Sequence, residues 1–390
     1  MSNVLVLDAN QRSALAVIRS LGRLPEVTVF AADSSDSAIG EYSRFCSSYA
    51  SHPSIQQDAD NFLNWLKTYV VKNNIDIVFP STEISSQLLL MNSQVLGDVK
   101  IPFASYDTVM SLADKGKLVS LATANGISVP KSTLYQSAQD VDMDKIRQYP
   151  VVIKPCLSKI WDNNQWLDTI VQIAHTPAEL KSYLNSTPWL QRFEFMLQEF
   201  IEGRGAGVFA LYNNGEPVAF FAHQRLREKP PEGGVSVLST SVPLDPVLLE
   251  NTQKLLGASQ WHGVAMVEFR VATDGSPYLM EVNTRFWGTL QLAIDAGVDF
   301  PALLYQITLG ETLVPPKAYQ IGVKLRWFLG DLDSLYLTIK SRHFSSLEKL
   351  KRFFSFFIPD FKSTKHQVSR LEDFRPAVAE LKQYLKNLSR

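Results

Sequence analysis

Two apolar segments that turn back on each other near residue 274 constrain this 390-residue chain more than any other feature. The runs Val264-Ala265-Met266-Val267-Glu268-Phe269-Arg270 and Tyr278-Leu279-Met280-Glu281-Val282-Asn283 flank Thr273-Asp274-Gly275-Ser276. An Asp-Gly pair between such runs is among the strongest short-range hairpin signals. Taking Asp274-Gly275 as a two-residue turn sets Glu268 directly across from Glu281, with the two side chains on one face roughly 5 Å apart. Asn283, two residues further, projects from the same face. Opposed carboxylates repel unless a cation or a proton lies between them. A solvated strand face would also relieve the repulsion, yet both strands are otherwise apolar at Ala265, Val267, Phe269, Leu279, Met280 and Val282. Two Glu oxygens and an Asn carbonyl are hard ligands with no histidine or cysteine among them, which favours magnesium over zinc. Arg285, just beyond, supplies a fixed positive charge suited to phosphate or to a developing oxyanion.

Two lysines extend the pattern. Lys154 ends the apolar run Pro150-Val151-Val152-Ile153, and Lys115 sits in the polar helical stretch Ser111-Leu112-Ala113-Asp114-Lys115-Gly116-Lys117-Leu118. A lone lysine is usually a solvated surface charge, but one at the end of an apolar strand can reach into a site. Magnesium with two lysines and an arginine is what phosphoryl transfer requires, because its main task is to hold and neutralise phosphate oxygens.

Upstream, residues 3–7, 27–31 and 75–79 read as strands, and Ala14, Val17, Ile18 and Leu21 mark a helix that stops at Gly22. This alternation predicts an open parallel sheet. The first strand-helix turn, Asp8-Ala9-Asn10-Gln11-Arg12-Ser13, lacks the glycines a dinucleotide needs. It serves either a substrate anion, through Arg12 and helix amides, or plain helix capping by Asn10. Ser81, Thr82 and Glu83 lie beyond a strand's carboxyl end, where open α/β sheets bind ligands, with helix capping as the plainer alternative. Thr176-Pro177-Ala178-Glu179 has the form of a capping box. Residues 195–201 read as a strand, and Asn213-Asn214-Gly215-Glu216 as the turn of a hairpin. Residues 225–236 read as a charged loop too long for a simple turn: a lid, with Arg225, Arg227 and Ser236 facing an acid substrate, or an ordinary surface loop.

Apolar residues make up 45% of the chain and charged residues 20%, enough for two or three ordinary cores. A net charge of -1 gives no reason to expect nucleic acid. Two cysteines, Cys46 and Cys156, in no metal-ligand spacing point to a reducing cytoplasm, and no apolar stretch approaches the roughly 18 residues of a membrane span. Residues 340–390 nevertheless hold twelve Lys or Arg against five Asp or Glu. Within them Leu347, Leu350, Phe353, Phe354 and Phe357 recur at helical spacing beside Lys349, Lys351 and Arg352. Such a helix more often packs its apolar face on its own protein; the alternative is peripheral contact with the inner face of an anionic membrane.

In this order, these residues resemble the ATP-grasp superfamily, particularly its carbamoyl-phosphate-synthase-like carboxylate–amine ligases, over a stretch reaching about residue 310. The resemblance implies a mixed α/β and α+β chain: an N-terminal Rossmann-like, open parallel sheet domain at 1–108, an ATP-grasp domain at 109–312 (small subdomain about 120–200, large subdomain about 201–312), and a basic, largely helical segment at 313–390. It implies ATP and magnesium as cofactors, with manganese as a substitute. Lys115 and Lys154 would contact the phosphates, Gln198, Glu199 and the Ile201 backbone would hold adenine, and Glu202 stands nearest the usual ribose-binding acid. Glu268, Glu281 and Asn283 match the metal ligands; Arg285, with Lys154, matches the catalytic positions. Two departures stand out: Cys156-Leu157-Ser158-Lys159-Ile160-Trp161-Asp162 lacks the glycines of the phosphate-covering loop, leaving Ser158 or Lys159 to substitute, and Arg204-Gly205-Ala206-Gly207 replaces the ribose acid. The implied reaction converts a carboxylate to an acyl phosphate that an amine then displaces. Its partners are small-molecule or lipid-linked acids and amines, one concrete pair being an amino acid and a uronic acid of a surface glycan, and such ligases often form homodimers. The alternatives are an amino acid or dipeptide-type ligase, a kinase, and a nucleotide-binding regulatory protein without turnover.

Overall fold

Strand and helix alternate at the N-terminus as the apolar pattern requires. In the computed structural model, which describes residues 1–358 and 363–389, strands β1 (Ser2–Val6), β2 (Val27–Asp33), β3 (Ser48–Ser51) and β4 (Ile77–Phe79) form a parallel sheet in the order β3-β2-β1-β4. Helices α1 (Arg12–Leu21), α2 (Ala59–Lys72) and α3 (Glu83–Met91) connect it. Gly22 ends α1 as expected, but Asn10 does not cap it: the cap position is Gln11 without a side-chain bond, while Asn10 Oδ1 accepts from the Ile39 amide. At α3 the capping alternative holds, with Thr82 and Ser85 forming a reciprocal box.

Helices α4 (Tyr106–Ala113) and α5 (Lys115–Ala124) follow. The single helix expected across residues 111–118 is broken at Asp114, whose carboxylate accepts from the Gly116 and Lys117 amides at 2.9 and 3.1 Å and so starts a new helix at Lys115. A second sheet is antiparallel, with strands β5 (Ser132–Tyr135), β6 (Val151–Pro155), β9 (Gln172–Ala174) and β10 (Phe195–Glu199) in the order β5-β10-β6-β9. Strands β7 (Lys159–Asp162) and β8 (Gln165–Asp168) pair only with each other, and α6 (Pro177–Ser186) covers the sheet. Thr176 caps α6, though Glu179 returns to the His175 amide rather than to that of the cap residue.

The largest sheet has seven strands in the order β15-β14-β11-β12-β13-β16-β17. These are β11 (Gly203–Asn213), β12 (Glu216–Lys229), β13 (Val235–Ser241), β14 (Gly263–Ala272), β15 (Pro277–Asn283), β16 (Lys324–Arg326) and β17 (Thr364–His366). Helices α7 (Pro246–Ala258), α8 (Leu290–Ala296) and α9 (Phe300–Leu309) pack on it, and their buried side chains join those of α1, β1 and β4 in one continuous core. Residues 225–229 therefore belong to a strand rather than to a lid loop, and only residues 230–234 connect β12 to β13.

The C-terminal segment supplies α10 (Phe328–Lys340), α11 (Ser346–Phe357) and α12 (Arg375–Leu388); residues 359–362 and 390 of the region expected to be largely helical lie outside the described residues. It is tied to the first sheet by Arg19, fully buried on α1, which ion-pairs with Asp373 at 2.7 Å and donates to the Gln367 and Val368 carbonyls. Against expectation, Leu347, Leu350, Phe353, Phe354 and Phe357 of α11 do not pack on the protein but stay exposed; Phe356, on the opposite side, is the buried one.

Candidate active site

The β14–β15 hairpin places Glu268 opposite Glu281 and Met266 opposite Asn283, as its sequence predicts, but by a different route. The turn holds three residues rather than two, since the Ala272 amide bonds the Ser276 carbonyl and Gly275 takes a left-handed φ of 90°. That shifts the pairing by one near the turn, where Phe269 faces Leu279 and Arg270 faces Tyr278. A bulge then skips Met280 and restores the expected pairing at the two glutamates.

Around this pair the charged side chains converge. Asn283 Nδ2 donates to Glu268 at 3.0 Å, and Arg285 Nη2 lies 3.3 Å from Asn283 Oδ1. Burial and the neighbouring Glu281 push the Glu268 carboxyl above its ordinary range. Burial also acts to raise Glu281, but Lys115, Lys154 and Arg285 outweigh it and hold that carboxyl low. Lys154 is buried and donates to the Met280 carbonyl at 2.7 Å, and burial brings its ammonium down to about 8. Lys115, also buried, donates to Ser158 Oγ at 3.1 Å.

The strand register places Lys154 and Gln198 on one face of the second sheet, since Lys154 faces Met196 and Val152 faces Gln198. Gln198 is buried and donates to Ser132 Oγ at 2.9 Å, leaving its Oε1 without a partner, as an atom awaiting a ligand donor would be. Glu199 bonds the Lys131 backbone at 2.8 Å, the Ile201 carbonyl accepts from Arg270 at 3.2 Å, and Glu202 is exposed at the chain's entry into β11. In place of a glycine loop stands the β7–β8 hairpin, turned by Asn163 and Asn164 at φ 49° and 60°. Its Trp166 is buried among side chains of the N-terminal parallel sheet and its helices, Ser158 contacts Lys115, and Lys159 is paired with Asp168.

Two clefts meet at Arg12, Val235, Arg285 and Gly288. One, of about 330 Å³, is lined by Glu268, Glu281, Asn283, Arg225, Ser236 and His223. The other, of about 630 Å³, opens onto the carboxyl ends of the parallel strands, where Asp8, Asn10, Asp33, Ser81, Thr82 and Glu83 face it. The Asp8 carboxylate holds that rim by accepting from Ser85 Oγ at 2.5 Å and from the Ser81 and Thr82 amides at 2.9 Å. Ser81 Oγ is buried with no partner, and Glu83 accepts from Gln87.

Arg225 points into the smaller cleft, 3.0 Å from Glu268. Arg227 does not share that role: the register shifts between the two arginines, and Arg227 is partly buried 3.2 Å from Asp331, together with Arg326 and Arg352 at 2.6 Å each. Sequence reasoning missed His223, which lies two residues before Arg225 on the same strand and bonds Thr289 Oγ1 at 2.9 Å. Burial holds its imidazole neutral, down at about 3. Its period-two spacing with Arg225 was the available signal.

A divalent cation fits the donor set. Among the described residues no group of three or more His, Cys, Asp or Glu is gathered as for a metal, so a cation here would rest on two carboxylates and an amide. The Arg225 guanidinium already occupies the position of a counter-cation for Glu268. Turning the Asn283 amide over would aim its oxygen at the carboxylates, completing three hard oxygen donors.

The family described as "ATP-grasp in the biosynthetic pathway with Ter operon" matches residues 191–328, the stretch that contains β10 through β16. D-alanine–D-alanine ligase of Aquifex aeolicus is 26% identical over 226 residues, covering 52% of this chain and 72% of that protein. Among solved structures, an L-amino acid ligase from Bacillus licheniformis superposes with a TM-score of 0.62 at 17% identity, covering 79% of this chain and 74% of its own. Biotin carboxylase from Campylobacter jejuni gives 0.66 at 15% identity over 83% and 74% of the two chains. N5-carboxyaminoimidazole synthetase from Staphylococcus aureus gives 0.61 at 14% identity over 83% and 80%. Residues 191–328 thus match an ATP-grasp family, and the chain shares the fold of these structures, in agreement with the paired glutamates of the hairpin.

Proposed function

We propose that this protein is an ATP-dependent carboxylate–amine ligase, which activates an acid as its acyl phosphate and releases ADP and phosphate as the amide forms. The observation that carries this reading is the convergence of Lys115, Lys154 and Arg285 on a Glu281 carboxylate directly opposite Glu268. Glu268, Glu281 and Asn283 would hold magnesium or manganese. When bound, the cation would neutralise phosphate oxygens during transfer. Lys115 and Lys154 would bind the phosphates, while Gln198, Glu199 and the Ile201 backbone would hold the base, with Glu202 at the ribose. Among the described residues Arg285 bonds the Asn283 amide and the Phe286 carbonyl and no carboxylate, so its charge is available to an oxyanion. His223 faces the same cleft, and since burial and Arg225 hold its imidazole neutral, it is suited to hydrogen-bond a substrate rather than to take up the proton of an attacking amine.

For the acid, Arg225 and Ser236 line the smaller cleft, and Ser81 and Glu83 line the larger. The larger cleft is walled mostly by polar and charged side chains, with Ile55, Ile84 and Val235 among them, and this supports a largely polar substrate. Amino acid and dipeptide ligases among the similar proteins support an amino acid as one reactant. A uronic acid, free or lipid-linked, is our concrete candidate for the other.

ADP release with magnesium and ATP, followed across amino acids, uronic acids and their pairs, tests the reading. Turnover that needs one acid and one amine and disappears in Glu281→Gln is the expected result. Magnesium-dependent nucleotide binding without acid-dependent turnover under any pairing would instead make the protein a regulatory nucleotide binder.

A further inference from the structure

Helix α11 is turned inside out for a helix that meets only water. Leu347, Leu350, Phe353, Phe354, Phe357 and Ile358 are between 42% and 72% exposed, and at 100° per residue they fall within one arc of about 140°. Lys351 borders that arc on one side and Lys349 on the other. The face turned to the protein carries the charge: Arg352 is bonded to the Asp331 side chain and backbone at 2.6 and 3.0 Å, beside buried Phe356. The helix is thus fixed to α10 through its polar side, with its apolar side left outward.

Helix α12 repeats the arrangement. Phe374, Val378, Leu381, Leu385 and Leu388 recur every three or four residues and are all exposed, while Ala379 and Pro376 are buried behind them. Glu380 and Tyr384, on the inner side, bond Trp327 and Asp333. One edge of this stripe is basic, with Arg375, Lys382 and Lys386.

We propose that α11 and α12 seat the protein on the surface of an anionic lipid bilayer, with their phenylalanines and leucines among the acyl chains and their lysines at the headgroups. The charge pattern selects this occupant over a second copy of the chain. Both stripes are edged by cations, and antiparallel pairing of two α12 helices would oppose Arg375 and Lys382 to the same residues of the other copy. An anionic surface complements both helices at once. Two apolar faces with basic edges also meet the requirement that stable peripheral attachment draw on more than one signal. Among the described residues no single helix is long and apolar enough to cross the membrane, so the contact is peripheral.

Cosedimentation of the full chain with vesicles of phosphatidylcholine alone, or mixed with phosphatidylglycerol, tests the proposal. Wild type should pellet with the mixed vesicles and less with the neutral ones. Phe354→Glu with Phe357→Glu, both at exposed positions, should lower the partition coefficient on the order of a hundredfold while leaving thermal unfolding unchanged. Leu381→Glu with Leu385→Glu should weaken binding in the same direction. Protein that stays in solution with both vesicle types, or variants that bind as wild type does, would overturn the idea. So would sedimentation velocity showing a dimer that the α12 variant breaks, without vesicle binding, since the face would then belong to a second copy.

Discussion

Lys154 Nζ donates at 2.7 Å to the carbonyl of Met280, the residue that the β14–β15 ladder skips. A bulge leaves a backbone group without a ladder partner, and here that group anchors the lysine facing Glu281. Burial lowers the Lys154 ammonium from 10.5 to about 8, so above that pH the free protein carries a neutral amine where phosphate charge must be met. Nucleotide binding should therefore take up protons at pH values near and above 8, seen in calorimetry as a dependence on buffer ionisation enthalpy. The same shift sets the sign for stability: the unfolded chain holds more proton between about 8 and 10.5, and stability from this group rises with pH across that window.

The two opposed glutamates should respond differently to neutralisation. Glu268 is pushed up from 4.5 by burial and by Glu281, so ionising it costs stability as pH rises past its unfolded value. Glu268→Gln should stabilise the cation-free protein at neutral pH, by about 1 kcal/mol. Glu281→Gln removes the carboxylate facing Lys115, Lys154 and Arg285 and should destabilise it by a similar amount. Thermal melts without divalent cation read both effects. Added magnesium should raise the wild-type midpoint more than that of either variant.

The three arginines near the site separate by partner. Arg285→Ala should lower kcat by about a hundredfold with little change in the nucleotide KM, as loss of an oxyanion donor does. Arg225→Ala should raise the KM for the acid. Arg227→Met should leave both constants near wild type, because Arg227 is partly buried against Asp331. Steady-state kinetics with the identified acid distinguish the three.

Asp331 is fully buried and is the carboxylate shared by Arg227, Arg326 and Arg352. Burial lowers Arg227 to about 10 even with that carboxylate present. Asp331→Asn would leave three largely desolvated guanidinium groups without it and should cost about 3 kcal/mol in urea unfolding. The expected structural sign is earlier loss of α10 and α11, detectable by hydrogen exchange in those helices.

Several features were legible in the sequence because they are local. Thr82 and Thr176 cap their helices through bonds spanning three residues, and the Asn214-Gly215 turn follows from two residues that tolerate left-handed backbone. The two-residue turn assumed at Asp274-Gly275 opposed Glu268 to Glu281 correctly, because the three-residue turn and the Met280 bulge cancel. The parallel sheet at the N-terminus followed from apolar periodicity alone.

Only the tertiary structure decided what depends on neighbours distant along the chain. The three-residue turn and the Met280 bulge offset each other, and the bulge gains its partner from Lys154, 126 residues away. Asp331 separates Arg227 from Arg225, although a period of two assigns both arginines to one face. Trp166 packs with Leu5, Phe62 and Val78 far upstream, which no pattern within residues 156–168 encodes. The outward face of α11 was the least legible of all, because periodicity shows that a helix has an apolar side but not whether its own protein covers it. Here Arg352 and Asp331 fix the orientation of the helix, and Leu347, Leu350, Phe353, Phe354 and Phe357 stay exposed. The sequence determined the helix caps, the N-terminal sheet and which side chains could be gathered into a site; long-range charge pairing and burial determined the hairpin's true register and which of the charged and apolar groups remain free to meet a ligand.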